Sequence, residues 1–377
     1  MRHPHGPPQG RNGPEVADVL RDHAFDLRLS RQQAKAASAI VSCRTAKLGG
    51  HEEVCKKCGV VRNAYNSCRN RHCPKCQGLK QALWAERQRL LALPTAYYQI
   101  IFTIPGELHP LFRVAPALCL KLLFQAVSET LLQVARSHLK GDIGFTAVLH
   151  TWSQKLGFHP HIHCLVPAGV LRQLEWVSTG TSFFLPLDKL KPVFKGKLLA
   201  KLRAAVDADQ LPMPEHQARE LIQRAGHKEW GIRIEPPLGG PDHVVEYLSR
   251  YVHRIAISNS RIISYDGQTV VFRYKDRADG NKTKPETVSG ERFSQLFLQH
   301  VLPDRFMRIR HYGLLASRRR DDLDRCRTLL GGRKPPERKN ESWVTAFRRI
   351  FGRDPLLCPA CNTGRLVVLD VLPPLRL

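Results

Sequence analysis

Apolar residues recur along this chain with two different periods, and the changes between them divide it. Residues 1–14 are rich in Pro, Gly, His and Arg, carry no periodicity and are expected to be disordered. Two helices follow, the second opening at Ser30, three residues ahead of Gln33 as in a capping box, with an Ala-rich body running to Cys43. Leu79, Leu83, Leu90 and Leu91 return at helical spacing over 77–93, and Pro94 ends that helix and the N-terminal domain, 15–94. The pattern then turns β-rich over 97–104, where Pro105-Gly106 closes a strand. A long helix over 117–139 precedes a strand over 143–152, with Phe145, Ala147 and Leu149 on one face, and a further strand over 158–166. Strand, helix, strand, strand predicts an α+β fold: an antiparallel sheet with helices packed on one face, in a domain spanning 95–290. Helices over 187–206 and 214–226 read as an insertion at about 170–228, and 230–235 alternates like a strand. Pro241 starts a helix whose Val244, Val245, Leu248 and Val252 form one apolar stripe. Asp266-Gly267 turns a hairpin between 261–265 and 270–274, and 291–377 forms a basic C-terminal region with a linker at 331–339.

Charge changes this picture more than composition does. Lys and Arg number 59 against 33 Asp and Glu, a formal net charge of +26, which predicts long-range attraction to a polyanion, nucleic acid first. No uninterrupted apolar run of spanning length and no signal-peptide pattern stands out, so a soluble, cytoplasmic and nucleoid-associated protein is expected, with no membrane partner. A Gly-rich nucleotide loop is missing as well, so no nucleotide cofactor is expected.

Six of the 11 cysteines fall between Cys43 and Cys76, mixed with histidines, which favours metal over disulfides. Cys55-Lys-Lys-Cys58 and Cys73-Pro-Lys-Cys76 are two knuckles fourteen residues apart, the spacing of a four-cysteine zinc ribbon. Cys43, His51, Cys68 and His72 remain over and suit a second zinc. Cys358-Pro-Ala-Cys361 is another knuckle with no partner pair near it, to be completed by Cys43 or Cys68 or by a second chain. Arg69 and Arg71 beside the ligands, and Arg308, Arg310, Arg318 and Arg319 in the basic stretch 305–320, are candidates for phosphate contacts.

In an extended segment His161 and His163 share a face while Ile162 and Cys164 point into the core, so two imidazoles can meet one divalent ion. Gln154 is the first candidate for a third ligand, with His150 and His159 as rivals. In the 242–254 helix Tyr247 and Tyr251 stand four residues apart beside the apolar stripe, with Arg250 and Arg254 beyond them.

Asn66-Ser-Cys68-Arg-Asn-Arg-His72-Cys73-Pro-Lys-Cys76-Gln77, then His159-Pro-His161-Ile-His163-Cys164, then Tyr247-Leu-Ser-Arg-Tyr251-Val-His253-Arg254, stand in this order. Together they resemble the HUH endonucleases, specifically the two-tyrosine transposases of the insertion-sequence-91 family. The resemblance implies an HUH-type sheet, preceded by a helical zinc-binding domain and followed by the basic region. It further implies rolling-circle cleavage of single-stranded DNA at element ends and of target DNA. Tyr247 and Tyr251 would act as nucleophiles aided by Arg250 and Arg254, with Mg²⁺ or Mn²⁺ held by His161, His163 and Gln154. A rolling-circle replication initiator with the same nicking chemistry and a non-catalytic, zinc-dependent DNA-binding regulator are the competing expectations.

Overall fold

Alternation along three strands builds the central sheet. β3 (Tyr97–Thr103), β4 (Gly144–Trp152) and β5 (Phe158–Pro167) turn Ile100, Phe102, Phe145, Ala147, Leu149, Ile162 and Cys164 to one side, where all are buried. The computed structural model describes residues 13–180, 185–240, 256–335 and 341–375. Within them the elements before this sheet are α1 (Val16–His23), α2 (Arg31–Ser42), β1 (Gly50–Cys55), β2 (Val61–Tyr65) and α3 (Gly78–Leu91). Those after β3 are α4 (His109–Val114) and α5 (Pro116–Leu139). Beyond β5 come β6 (Gly169–Arg172), β7 (Glu175–Ser178), α6 (Leu187–Asp207), α7 (Glu215–Gly226) and β8 (Gly231–Leu238). The chain continues through β9 (Ile262–Tyr265), β10 (Thr269–Asp276), β11 (Lys282–Ser289), α8 (Gly290–Leu298), β12 (Ile309–Gly313), α9 (Arg320–Leu329), α10 (Trp343–Phe351) and β13 (Leu366–Leu372).

The central sheet has five strands in the order β12-β4-β5-β3-β8, every pairing antiparallel. Helices α5 and α6 cover its apolar face. Phe102 of β3 meets Phe194 of α6 edge to face at 5.0 Å, and fully buried Leu198 and Leu202 extend the contact. The helices of the segment that reads as an insertion thus contribute buried residues to the core beneath the sheet. Its lysines are compatible with that burial, because a helix buried on one stripe still carries charge on the other. The edge strand β12 likewise belongs to this sheet, although the domain boundary predicted from the sequence puts it in the C-terminal region. Among the described residues one helix, α5, is long and apolar enough to cross a membrane, but more than half of its most apolar window is buried inside the protein.

A second core ties the chain's beginning to its later half. Ser30 caps α2 as the sequence predicts, its hydroxyl accepting from the Gln33 amide while the Gln33 side chain accepts from the Ser30 amide. Val16, Leu20 and Ile40 of α1 and α2 pack with Phe272 of β10 and Phe293 of α8. The β9–β10–β11 sheet thus forms one body with the N-terminal helices, and the Tyr265 hydroxyl donates to Asp22 at 2.7 Å across the junction. A third sheet has the order β13-β1-β2, so the last described strand pairs with the first.

Candidate active site and cysteine centres

The polar face of the central sheet carries the histidines. In β5, His161 and His163 alternate with buried Ile162 and Cys164, as the sequence predicts, and across the hairpin His150 of β4 stands directly opposite His161. The ligand nitrogens of His150, His161 and His163 lie within 4.8 Å of one another. The His150–His161 pair keeps the register that runs from Thr146↔Leu165 through Leu149↔Ile162, and the one-residue shift falls beyond it, between His150 and Trp152. The third member of the group is therefore His150, weighed from the sequence as a rival. Gln154 lines the same cavity, and its backbone carbonyl accepts from Arg261 at 2.6 Å.

Neighbouring groups fix the imidazoles. His161 Nδ1 donates to the His159 carbonyl at 2.6 Å, which leaves Nε2 as the lone-pair nitrogen, and the Gln99 amide engages His163 Nδ1 at 2.8 Å. Burial, with a smaller contribution from Arg277, holds His161 down at about 4. The ring is accordingly neutral at physiological pH, the state a metal requires. The cavity in front of the rings measures 410 Å³, and its lining includes Lys155, Lys275 and Arg277 beside one carboxylate, Asp276, with Lys155 also paired to Glu286 at 3.0 Å, a wall of net positive charge suited to a phosphate chain. Three convergent nitrogens beside a cationic rim can hold a divalent ion with positions left open for a substrate oxygen.

Tyr247, Tyr251, Arg250 and Arg254 lie outside the described residues. The described chain resumes at Ala256, which together with Thr151 and Trp152 at the end of β4 lines a small cavity beside the histidine site.

The arginines predicted to meet phosphate divide into two groups. Arg69 and Arg318 are exposed. Arg71 instead donates to the Phe306 and Pro303 carbonyls at 2.5 and 2.9 Å, tying the zinc module to the loop before β12. Arg310 lies over the Phe124 ring at 4.2 Å, and Arg319 bridges Asp142 and Asp322. Arg308 is largely buried, and desolvation pushes its guanidinium down to about 10.

The cysteines form two groups of four, paired differently from the sequence expectation. Cys43, Cys68, Cys73 and Cys76 converge within 4.8 Å, and Cys55 and Cys58 converge instead with Cys358 and Cys361. Among the described residues, neither His51 nor His72 joins a group. His51 Nε2 lies 3.0 Å from Glu53, and half-buried His72 accepts from the Leu302 amide and is held down at about 3 by desolvation. Spacing misleads here because adjacent knuckles in sequence need not face the same ion, and β1–β2 carries Cys55 and Cys58 away from Cys73 and Cys76. In the first group Cys68 Sγ and Cys76 Sγ are 3.8 Å apart, while the Lys75 amide donates to Cys73 Sγ at 3.4 Å. Four sulfurs about 2.3 Å from a tetrahedral zinc stand about 3.8 Å from one another, far beyond disulfide length. Hydrogen bonding from Cys68 and then Cys73 lowers the Cys43 thiol to about 7, towards the thiolate a metal takes up.

An antiparallel sheet presenting clustered imidazoles, preceded by a cysteine-rich metal module, defines a class of metal-binding α+β protein. Comparison with known sequences assigns it further. The family described as "Transposase zinc-binding domain" matches residues 16–104, and the one described as "Putative transposase" matches residues 144–322. A Sinorhizobium fredii protein named "Putative transposase y4qJ" is 40% identical over 382 residues, covering 96% of each chain. The "Transposase for insertion sequence element IS801" of Pseudomonas savastanoi pv. phaseolicola is 29% identical over 300 residues, covering 76% of this chain and 71% of its own. No solved structure matches. The chain belongs to the insertion-sequence-91 family of transposases. Transposition makes it a DNA-binding, nucleic-acid-cleaving enzyme, with structural zinc in its N-terminal module.

Proposed function

We propose that this transposase cleaves and rejoins single-stranded DNA at the ends of its element, and in target DNA, by a rolling-circle route through 5′-phosphotyrosine intermediates. The observation that carries this reading is the convergence of His150, His161 and His163 at the cationic cavity. Imidazole donors favour Mn²⁺ over Mg²⁺. A divalent ion held there supplies Lewis-acid polarisation of the scissile phosphate. Lys155, Lys275 and Arg277 hold the flanking phosphates. The phenolic oxygen of Tyr247 or Tyr251 attacks phosphorus, the bond to the 3′ oxygen breaks, and that oxygen takes up a proton as the phenol loses its own. Arg250 and Arg254 favour the phenolate. Attack of a 3′ hydroxyl on the phosphotyrosine restores the phosphodiester and the phenol, so no nucleotide is consumed. Two tyrosines allow a second cleavage before the first strand is released.

Single-stranded element-end DNA incubated with the protein and Mn²⁺ is expected to yield a covalent adduct that survives denaturation. Tyr247→Phe combined with Tyr251→Phe should abolish it. An undiminished adduct from that double variant would show that the nucleophile lies elsewhere.

A further inference from the structure

The knuckle at Cys358 and Cys361 lies outside both matched regions, which end at residues 104 and 322. We infer that Cys55, Cys58, Cys358 and Cys361 hold a second structural zinc ion, which fastens the C-terminal segment to the N-terminal module of the same chain.

Three independent features converge on this site. The first is distance: Cys55 Sγ lies 3.8 Å from Cys361 Sγ, and Cys58 Sγ lies 3.8 Å from Cys358 Sγ. Both match the edge of a tetrahedral tetrathiolate, about 3.8 Å for zinc–sulfur bonds of about 2.3 Å. The second is backbone form, since the two knuckles repeat one turn. The amide four residues after the first cysteine returns to its carbonyl in each, Gly59 to Cys55 at 3.0 Å and Asn362 to Cys358 at 2.9 Å. Gly59 and Asn362 both adopt positive φ, 71° and 53°. Further amides point at the sulfurs, Lys57 at Cys55 Sγ at 3.4 Å and Gly364 at Cys361 Sγ at 3.2 Å, as suits thiolate acceptors. The third is close approach, because a Cβ at Gly364 would collide with Cys55 Sγ.

Strands complete the unit on both sides. β1 runs into the first knuckle and β2 leaves it, while β13 leaves the second and pairs with β1 from Gly50↔Leu372 to Cys55↔Leu366. The Lys56 amide donates to the Arg365 carbonyl at 3.2 Å, joining the knuckles directly. The result is a zinc ribbon assembled from two parts of the chain some three hundred residues apart. Its apolar content is small, with Leu366 the one buried hydrocarbon side chain among the cysteines. A metal is the feature that could hold so small a core.

Metal analysis of the full-length wild-type protein tests this, with native mass measurement of the same sample. Two zinc ions per chain are expected. Cys358→Ser with Cys361→Ser should retain one, and Cys68→Ser with Cys76→Ser should also retain one, each pair emptying a different site. One zinc in the wild-type protein, or two in the Cys358/Cys361 variant, would overturn the inference. A fold-independent readout uses the exposed Cys58 and half-buried Cys361 of the wild type. Their alkylation should accelerate at least tenfold when a chelator strips the zinc, and equal rates with and without chelator would refute the site. Mixing the Cys55→Ser/Cys58→Ser and Cys358→Ser/Cys361→Ser variants should restore no zinc. Recovery of the second zinc in that mixture would show ligands shared between two chains and overturn the intramolecular site.

Discussion

Replacing His150 by Ala tests the third-ligand assignment most sharply, because Gln154 is the competitor that the sequence favours. His150 is buried, stacks on Trp152 at 4.7 Å between ring centroids, and stands opposite His161 in register. Its loss takes the group from three imidazoles to two. Removing even an outer-shell partner of a metal ligand costs about 10–100-fold in affinity. Direct loss of a ligand should cost at least that, or upward of about 1.4–2.8 kcal/mol at 1.4 kcal/mol per tenfold. Mn²⁺ titration calorimetry on the zinc-replete protein reads the effect. His150→Ala should weaken Mn²⁺ binding by at least tenfold, whereas Gln154→Ala should leave the dissociation constant within about threefold. Weakened binding in Gln154→Ala together with unchanged binding in His150→Ala would show that the proposed coordination is wrong. His150→Gln separates packing from ligation, because it fills much of the space with a poorer donor.

Two further outcomes follow from the interior. Burial lowers His300 from 6.5 to about 4, while its neutral ring is satisfied by Thr151 Oγ1 at Nδ1 and the Leu156 carbonyl at Nε2. The unfolded chain therefore binds this proton first, so stability is fully present above pH 6.5 and is lost as pH falls from 6.5 towards 4. The loss amounts to roughly 3 kcal/mol from this residue at 1.36 per pKa unit. Chemical denaturation across that window should show a shallower decline in His300→Gln, and an identical slope would refute the assignment. Arg71→Ala removes two hydrogen bonds to carbonyls and should lower stability by roughly 1.5–3 kcal/mol while leaving the salt dependence of single-strand binding unchanged. Exposed Arg69→Ala should do the reverse, reducing the magnitude of the salt slope by about 0.7.

Local pattern is legible in this sequence wherever period and capping agree. The alternation that places Phe145, Ala147 and Leu149 on one face of β4, the Ser30–Gln33 box, and Ile162 and Cys164 beside His161 and His163 all appear in the structure as their residues predict. That same alternation puts His150 on the face opposite Leu149, so the histidine group was partly readable. The missing step is the register of the β4–β5 hairpin, because a slip of one residue would set His161 opposite a residue of the other face, such as Leu149. Ligand grouping among the cysteines was not readable, since it depends on which strand pairs with β1, a contact between residues 50–55 and 366–372. Exposure of the arginines was likewise invisible, because charge density says nothing of whether a guanidinium meets a phosphate or a carbonyl such as that of Phe306. Tyr247 and Tyr251 rest on sequence alone.

The pairing of β1 with β13 bears on how this chain is made. At about 5–20 residues per second, ribosomes need roughly 15–60 s to add the residues between Cys55 and Leu366. Throughout that interval β1 has only β2 beside it, and one edge of the nascent module offers unsatisfied backbone groups to any passing strand. The N-terminal module can close only once residues 366–372 have been made, so a product terminated before them leaves that edge open. Arrival of a strand made some three hundred residues later is thereby written into the architecture as a condition for the first domain to mature.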